Sequence, residues 1–157
     1  MKQPADPYLI GLRLLAMREF STARLADRLR RRGIASADVD AALARLRRDG
    51  ALDDARAARS FADTFLQRGR GRRRVQRDLE AQGIDPELAA DVVAERFDSV
   101  DERALMRELI ARRLSGPLAD RAELERLHRY LVRRGFPSDE ALAVLRSWRG
   151  PAADSAD

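Results

Sequence analysis

The sequence predicts an all-α protein made of three tandem three-helix repeats. First, the composition favours helix over strand: 45% of the residues are hydrophobic, chiefly Ala, Leu and Val, 36% are charged and only 5% are aromatic. Second, one motif recurs. Leu25-x-x-x-Leu29-x-x-x-Gly33-Ile34 returns as Val75-x-x-x-Leu79-x-x-x-Gly83-Ile84 and as Leu127-x-x-x-Leu131-x-x-x-Gly135-Phe136, with the glycines 50 and 52 positions apart. Third, apolar residues recur at helical spacing, no predicted helix carries an interior proline, and no stretch alternates as a strand would.

The elements follow in chain order. Asp6-Pro7 opens an amphipathic helix containing Leu12, Leu15 and Ala16. Glu19-Phe20-Ser21 separates it from a second helix that ends at Gly33. There the glycine takes a left-handed C-cap and Ile34 packs back. Ser36 is the expected cap of the helix holding Val39, Ala42, Leu43 and Leu46. In the second repeat, Asp53-Asp54 opens a helix with Ala58, Phe61, Ala62 and Phe65 on one face. Gln67 to Gly71 connects it to the helix ending at Gly83, and Asp85-Pro86 starts the next, with Leu88, Ala89, Val92 and Val93. In the third, Ser99 and Glu102 form an expected capping box ahead of Leu105, Met106, Leu109 and Ile110. Ser115-Gly116-Pro117 breaks the chain, Asp120 and Glu123 restart it, and Ser138 is the expected cap of a last helix with Ala141, Val144, Leu145 and Trp148. The repeats are expected over 6–50, 51–97 and 98–149, with 150–157 a disordered tail. A unit this small buries too little surface alone, so neighbouring units are expected to share apolar faces.

Several chemistries are excluded. Without cysteine there is no disulfide framework, thiol nucleophile or thiolate metal site, and one histidine leaves no room for a multi-imidazole centre. No apolar run approaches membrane-spanning length, and the chain opens on Met-Lys-Gln-Pro-Ala-Asp rather than an apolar signal core, so it reads as soluble and cytoplasmic. Asp53-Asp54 resembles a metal or acid–base pair, but acids at a helix start are ordinarily caps that complement the macrodipole. His128, beside the stripe Leu124, Leu127 and Leu131, reads as structural or solvated. Gly69-Arg70-Gly71 has neither the spacing nor the strand-to-helix context of a phosphate loop. No catalytic residue, cofactor site or metal site is expected.

Charge is more informative in its distribution than in its sum. The net +5 comes from 31 basic and 26 acidic groups, and all but Lys2 of the basic ones are arginine, as GC-rich coding would also give. Residues 1–50 alone carry an excess of +5, while 51–97 and 98–157 are each balanced. Within the balanced middle, Arg68, Arg70, Arg72, Arg73, Arg74 and Arg77 follow one another with no acid between them. Cations at a helix start oppose its dipole, so this locally unfavourable choice points to a partner presenting phosphates or carboxylates. Arg28, Arg31 and Arg32, with Arg30, form a second cluster at a helix C-terminus, where the dipole already favours cations. Arg133-Arg134 has the same explanation. The contact candidates are therefore Arg28, Arg31, Arg32, Arg68, Arg70, Arg72, Arg73, Arg74 and Arg77. If phosphates are met, about five contacts give a log–log salt slope near −4 to −5. The aromatics are committed to packing, which leaves no platform for stacking bases.

Arg18-Glu19-Phe20-Ser21 with Leu25, Leu29 and Gly33, then Leu46-x-x-x-Gly50-Ala51-Leu52-Asp53-Asp54, Phe61 and Gly71-x-x-Arg74-Val75-x-x-x-Leu79-x-x-x-Gly83-Ile84, resemble the bacterial RecX family over residues 8–148. The resemblance implies three-helix repeats in an elongated, curved arrangement. It also implies binding to the RecA recombinase filament on single-stranded DNA, with inhibition of recombination, ATPase and coprotease activities, and hence a part in DNA repair and the SOS response. No catalysis or cofactor is implied. Ala57 stands where the family often has an aromatic, and the family's connection is not always so arginine-dense, so the resemblance assigns no role to the Arg70–Arg74 cluster. The competing reading from the residues is a helical protein that binds single- or double-stranded DNA directly, without RecA.

Overall fold

The computed structural model describes residues 6–151. The described residues form nine α-helices and no strand: α1 Pro7–Met17, α2 Thr22–Arg30, α3 Ser36–Arg48, α4 Asp54–Gln67, α5 Arg72–Ala81, α6 Pro86–Phe97, α7 Glu102–Ala111, α8 Arg121–Arg133 and α9 Ser138–Ser147. They are gathered into two compact units. One runs to Ala62 and includes Asp78–Val92; the other takes Asp63–Arg77 and everything from Val93. Of the expected tail, Gly150 is buried and Pro151 half-buried, while 152–157 lie outside the described residues.

The first unit has its core in Leu14, Phe20, Leu25, Leu29, Val39, Leu43, Leu46 and Leu52. The expected α1 face needs correction. Gly11 and Leu14 are its buried residues, while Leu12 and Leu15 are only partly covered and Ala16 is exposed. The cause is a close approach: a Cβ at Gly11 would lie 2.6 Å from Leu46 Cδ1, so the helix presses on α3 at its glycine. Turning α1 this way leaves Leu9 49% and Met17 82% exposed. The second unit is built on Met106, Leu109, Ile110, Leu127, Leu131, Phe136, Val144, Leu145 and Trp148. The Trp148 indole N–H donates to the Gly116 carbonyl at 2.9 Å, which ties the chain break after α7 to the end of α9.

The repeated glycines adopt the left-handed conformation, with φ of 80° at Gly33 and Gly83 and 98° at Gly135. In the second and third copies the apolar residue after the glycine closes the helix, Ile84 N–H on Leu79 O at 3.2 Å and Phe136 N–H on Leu131 O at 3.2 Å. Asp6, Asp85 and Asp120 cap as expected, accepting from the backbone N–H of Tyr8, Glu87 and Glu123 at 2.9, 2.9 and 2.8 Å. Three serine expectations fail. Ser36 and Ser138 are the first helical residues, not caps, and the Ala35 and Pro137 positions that precede them supply no side-chain bond. Ser99 yields to Asp101, whose carboxylate accepts from Arg103 and Ala104 at 2.9 and 3.0 Å and so starts α7 two residues later. A carboxylate is the stronger acceptor, and its charge complements the dipole.

At the edge of α1 the Tyr8 hydroxyl donates to Asp49 at 2.8 Å. That bond holds the Asp49 carboxyl below its ordinary value and pushes the Tyr8 hydroxyl above its own. A depressed carboxyl contributes stability that is lost as pH falls through its folded value, and a raised phenol contributes stability that is lost as pH rises through its folded value. Tyr8→Phe is therefore expected to destabilise modestly at neutral pH, with the gap from wild type shrinking at both the acid and the alkaline end. Urea midpoints at pH 3, 7 and 10.5 check this; a pH-independent gap would assign the loss to packing.

Candidate anion-binding surface

The arginine-rich connection is set by its glycines. α4 ends at Gln67 and α5 begins at Arg72, as the sequence predicts. Gly69 takes φ 71°, and a Cβ there would stand 2.7 Å from Leu109 Cδ2. A Cβ on Gly71 would stand 2.9 Å from both the Gly135 carbonyl carbon and Phe136 Cδ1. Only glycine at both points lets the loop lie flat on α7 and on the turn after α8. There the Gly71 N–H donates to Arg134 O at 2.7 Å, and the Arg134 guanidinium returns a bond to the Arg68 carbonyl.

This clasp gathers Arg68, Arg70 and Arg74 with Arg133, Arg134 and Tyr130 around a cleft of about 630 Å³, and among the described residues no carboxylate lines it. The arginines are braced by rings and carbonyls: Arg70 lies 4.5 Å over Phe65 and Arg134 5.1 Å over Tyr130. Arg113 also lies on the Tyr130 ring, at 3.9 Å, so that ring orients guanidiniums. Arginines also sit against acids, as in Arg56–Glu19 at 3.0 Å, Arg103–Glu140 at 2.8 Å and Arg121–Glu125 at 2.9 Å. The larger cleft of the first unit, about 810 Å³, mixes Arg30 and Arg47 with Asp40, Asp54, Glu80 and Asp85 and has no basic excess. Converging planar guanidiniums favour oxyanions, above all phosphates, which accept two parallel bonds from each fork.

The other candidates lie elsewhere. Arg72 is engaged in structure: its backbone N–H donates to Glu102 at 3.2 Å, its side chain pairs with the same carboxylate at 3.7 Å, and it covers Phe97 at 5.4 Å. Arg73 and Arg77, one turn apart on α5, are exposed. Arg28, Arg31 and Arg32 are exposed at the end of α2, where Arg30 pairs with Asp27 and Asp40, at 3.7 and 3.8 Å. Arg133 and Arg134 are the residues that sequence reasoning passed over, because a helix C-terminus already explains cations there. Their contact with a loop more than 60 positions away carries no local signal.

The acids and the histidine have structural partners. Asp53 caps α4 through the Arg56 N–H at 3.0 Å, and that bond holds its carboxyl below the ordinary value. Asp54 accepts from the Thr22 N–H and hydroxyl at 2.7 and 2.9 Å, closing the start of α2 from outside. His128 Nε2 lies 3.0 Å from both the carbonyl and the hydroxyl oxygen of Ser138, linking α8 to the start of α9. Among the described residues no helix is long and apolar enough to cross a membrane.

Comparison with known proteins agrees with this architecture along the chain. Residues 8–46, 53–93 and 101–145 match the models of the first, second and third three-helix domains of RecX. The regulatory protein RecX of Trichlorobacter lovleyi is 36% identical over 141 residues, covering 87% of this chain and 92% of that protein. That of Chromohalobacter salexigens is 33% identical over 147 residues, covering 93% and 95%. Among solved structures, RecX from Lactobacillus salivarius superposes with a TM-score of 0.72 at 21% identity, covering 89% of this chain and 92% of that one, which speaks for the fold. A second RecX crystal structure gives 0.75 at 18% identity, covering 92% and 71%. With all three of its domains matched in order and relatives aligned over nearly their whole length, the chain belongs to the RecX family of regulatory proteins, a family without enzymatic activity.

Proposed function

We propose that this protein works in the cytoplasm by binding the RecA recombinase filament on single-stranded DNA and inhibiting its recombination, ATPase and coprotease activities. The observation that carries this reading is the ordered match of all three RecX domains. The chemistry of the surface supports it, since a filament on DNA offers phosphates and carboxylates to exposed arginines. In this reading Arg28, Arg31, Arg32, Arg68, Arg70, Arg73, Arg74 and Arg77 form the contact set, while Arg72 serves the fold through Glu102.

The test is RecA ATP hydrolysis on single-stranded DNA, titrated with this protein, with its own DNA binding measured at the same salt. Inhibition at concentrations too low to coat the DNA is the expected result. Inhibition only at saturation would indicate competition for the strand, and no inhibition would end the reading. Reversing the exposed pair, Arg73→Glu with Arg77→Glu, is expected to raise the half-inhibitory concentration about tenfold or more while the helical circular dichroism is unchanged. Full inhibition by the folded double variant would move the contact off this face of α5.

A further inference from the structure

We propose that the outward face of α1 docks an amphipathic helix of another protein, one whose apolar stripe carries a carboxylate at its middle. The inference does not depend on the RecA reading. It rests on a helix with two apolar faces, of which the fold fills one. On the inner face Gly11 and Leu14 are buried, Ile10 and Leu15 pack beside them, and Gly11 presses on Leu46 of α3. On the outer face Leu9, Leu12, Arg13, Ala16 and Met17 recur at i, i+3, i+4, i+7 and i+8, the spacing of a single helical stripe. Leu12 is half-buried at its edge and the other four are exposed, Leu9 by 49% and Met17 by 82%. Leu9 and Met17 are two of the three large hydrophobic side chains exposed among the described residues, and they lie about two turns apart on this stripe. A helix that is apolar all round is ordinarily covered all round.

Arg13 selects the occupant. It is the one charged residue of α1 and stands at the centre of the outer stripe, midway between Leu9 and Met17. A second copy of this chain is thereby disfavoured. Two such stripes paired about a two-fold axis at their centre, parallel or antiparallel, would set Arg13 against Arg13 inside an apolar contact, where like charges are costly. Acids near α1 are already engaged. Asp6 accepts from the Tyr8 N–H at 2.9 Å, Asp49 accepts from the Tyr8 hydroxyl at 2.8 Å, and Glu19 accepts from the Arg56 guanidinium at 3.0 Å. A covered Arg13 therefore draws its carboxylate from the partner, and that carboxylate must sit within an apolar surface. The stripe runs about 12 Å along the helix axis, and its ridges are those of a helix. A second helix fills the grooves between them with apolar side chains at the same spacing. A contact of about two turns is small, so the expected affinity is in the micromolar range.

The probes are two synthetic peptides of about 18 residues, long enough to hold a helix. Each is fluorescein-labelled and carries a leucine stripe, and they differ only in Glu or Lys at the middle of that stripe. Binding to the full-length protein is read by fluorescence anisotropy. The Glu peptide is expected to bind at least tenfold tighter than the Lys peptide, and Arg13→Glu is expected to reverse the preference. Leu9→Ser with Met17→Ser is expected to weaken the Glu peptide at least tenfold. All three side chains are exposed, so the variants should remain folded, as circular dichroism checks. Arg146→Glu, at an exposed position of α9, should leave the affinity unchanged and so separates Arg13 from general charge attraction. Binding of neither peptide, equal binding of both, or a preference that survives Arg13→Glu in folded protein would each overturn the proposal. So would a dimer, seen by sedimentation equilibrium, that Leu9→Ser with Met17→Ser dissociates, because a second copy then covers the face. Adsorption to phosphatidylglycerol vesicles that the same double variant abolishes, without a preference for Glu over Lys, would give the face to a lipid surface and overturn it as well. The ATPase titration judges the filament reading separately, and neither result decides the other.

Discussion

Gly135→Ala is expected to destabilise the protein by about 3 kcal/mol or more, while Gly33→Ala, at the same point of the repeated motif, costs about 1 kcal/mol. Both glycines have positive φ, 98° and 80°, so a Cβ meets backbone strain at each. They differ in what surrounds them. At Gly33 an added Cβ meets nothing within 4 Å, and only the conformational term remains. At Gly135 it would overlap the backbone nitrogen of Arg74 and come within 2.9 Å of its Cα, in the first turn of α5. Backbone in a packed turn cannot yield as a flexible side chain would, so α5 and the turn after α8 must move apart. Urea unfolding of the two variants, followed by circular dichroism, separates these terms. Equal losses would mean that the glycine serves only its own turn and that the close packing of Arg74 on Gly135 contributes nothing.

That pair of glycines also marks where the fold was legible in the sequence and where it was not. The recurrence of Gly33, Gly83 and Gly135 reports a local requirement, positive φ at a helix end, and local requirements leave local signals. The same holds for the Gln67–Gly71 connection and for the aspartate caps. Ser36 and Ser138 misled because each helix starts one residue earlier than a serine cap would place it, and Ser99 because Asp101, two residues on, takes the cap. The α1 face misled because Gly11, counted as no core residue, is the point of closest approach to Leu46. In the basic surface, the cluster from Arg68 to Arg77 was visible as a run without acids, yet the run divides. Arg72 turns to Glu102, Arg73 and Arg77 face outward, and Arg68, Arg70 and Arg74 enter a cleft completed by Arg133 and Arg134. The completion is tertiary: it depends on Gly71 lying against Gly135, a contact between residues that share no periodicity.

Phe136→Ala tests whether that cleft and the core beneath it are one construction. Phe136 is 1% exposed and packs with Met106, Leu109, Ile110, Leu131 and Leu145 in the core of the second unit. Truncating a buried phenylalanine removes its burial and leaves a cavity, so a loss of about 3–5 kcal/mol is expected. The same ring lies against Gly71, where an added Cβ would stand 2.9 Å from Phe136 Cδ1, so it is also the floor under the arginine loop. Truncation should therefore loosen the loop before it unfolds the unit, because Gly71 loses its backing while Leu131 and Leu145 keep other neighbours. Hydrogen exchange on the folded variant checks the order. The Gly71 amide, bonded to Arg134 O at 2.7 Å, should lose protection most, the amides of Leu131 and Leu145 less, and those of Leu25, Leu29 and Leu46, in the core of the first unit, least. A uniform loss would show that the chain opens only as a whole. Retained protection at Gly71 would show that the clasp through Arg134 holds the loop without the ring, leaving Phe136 to the core alone.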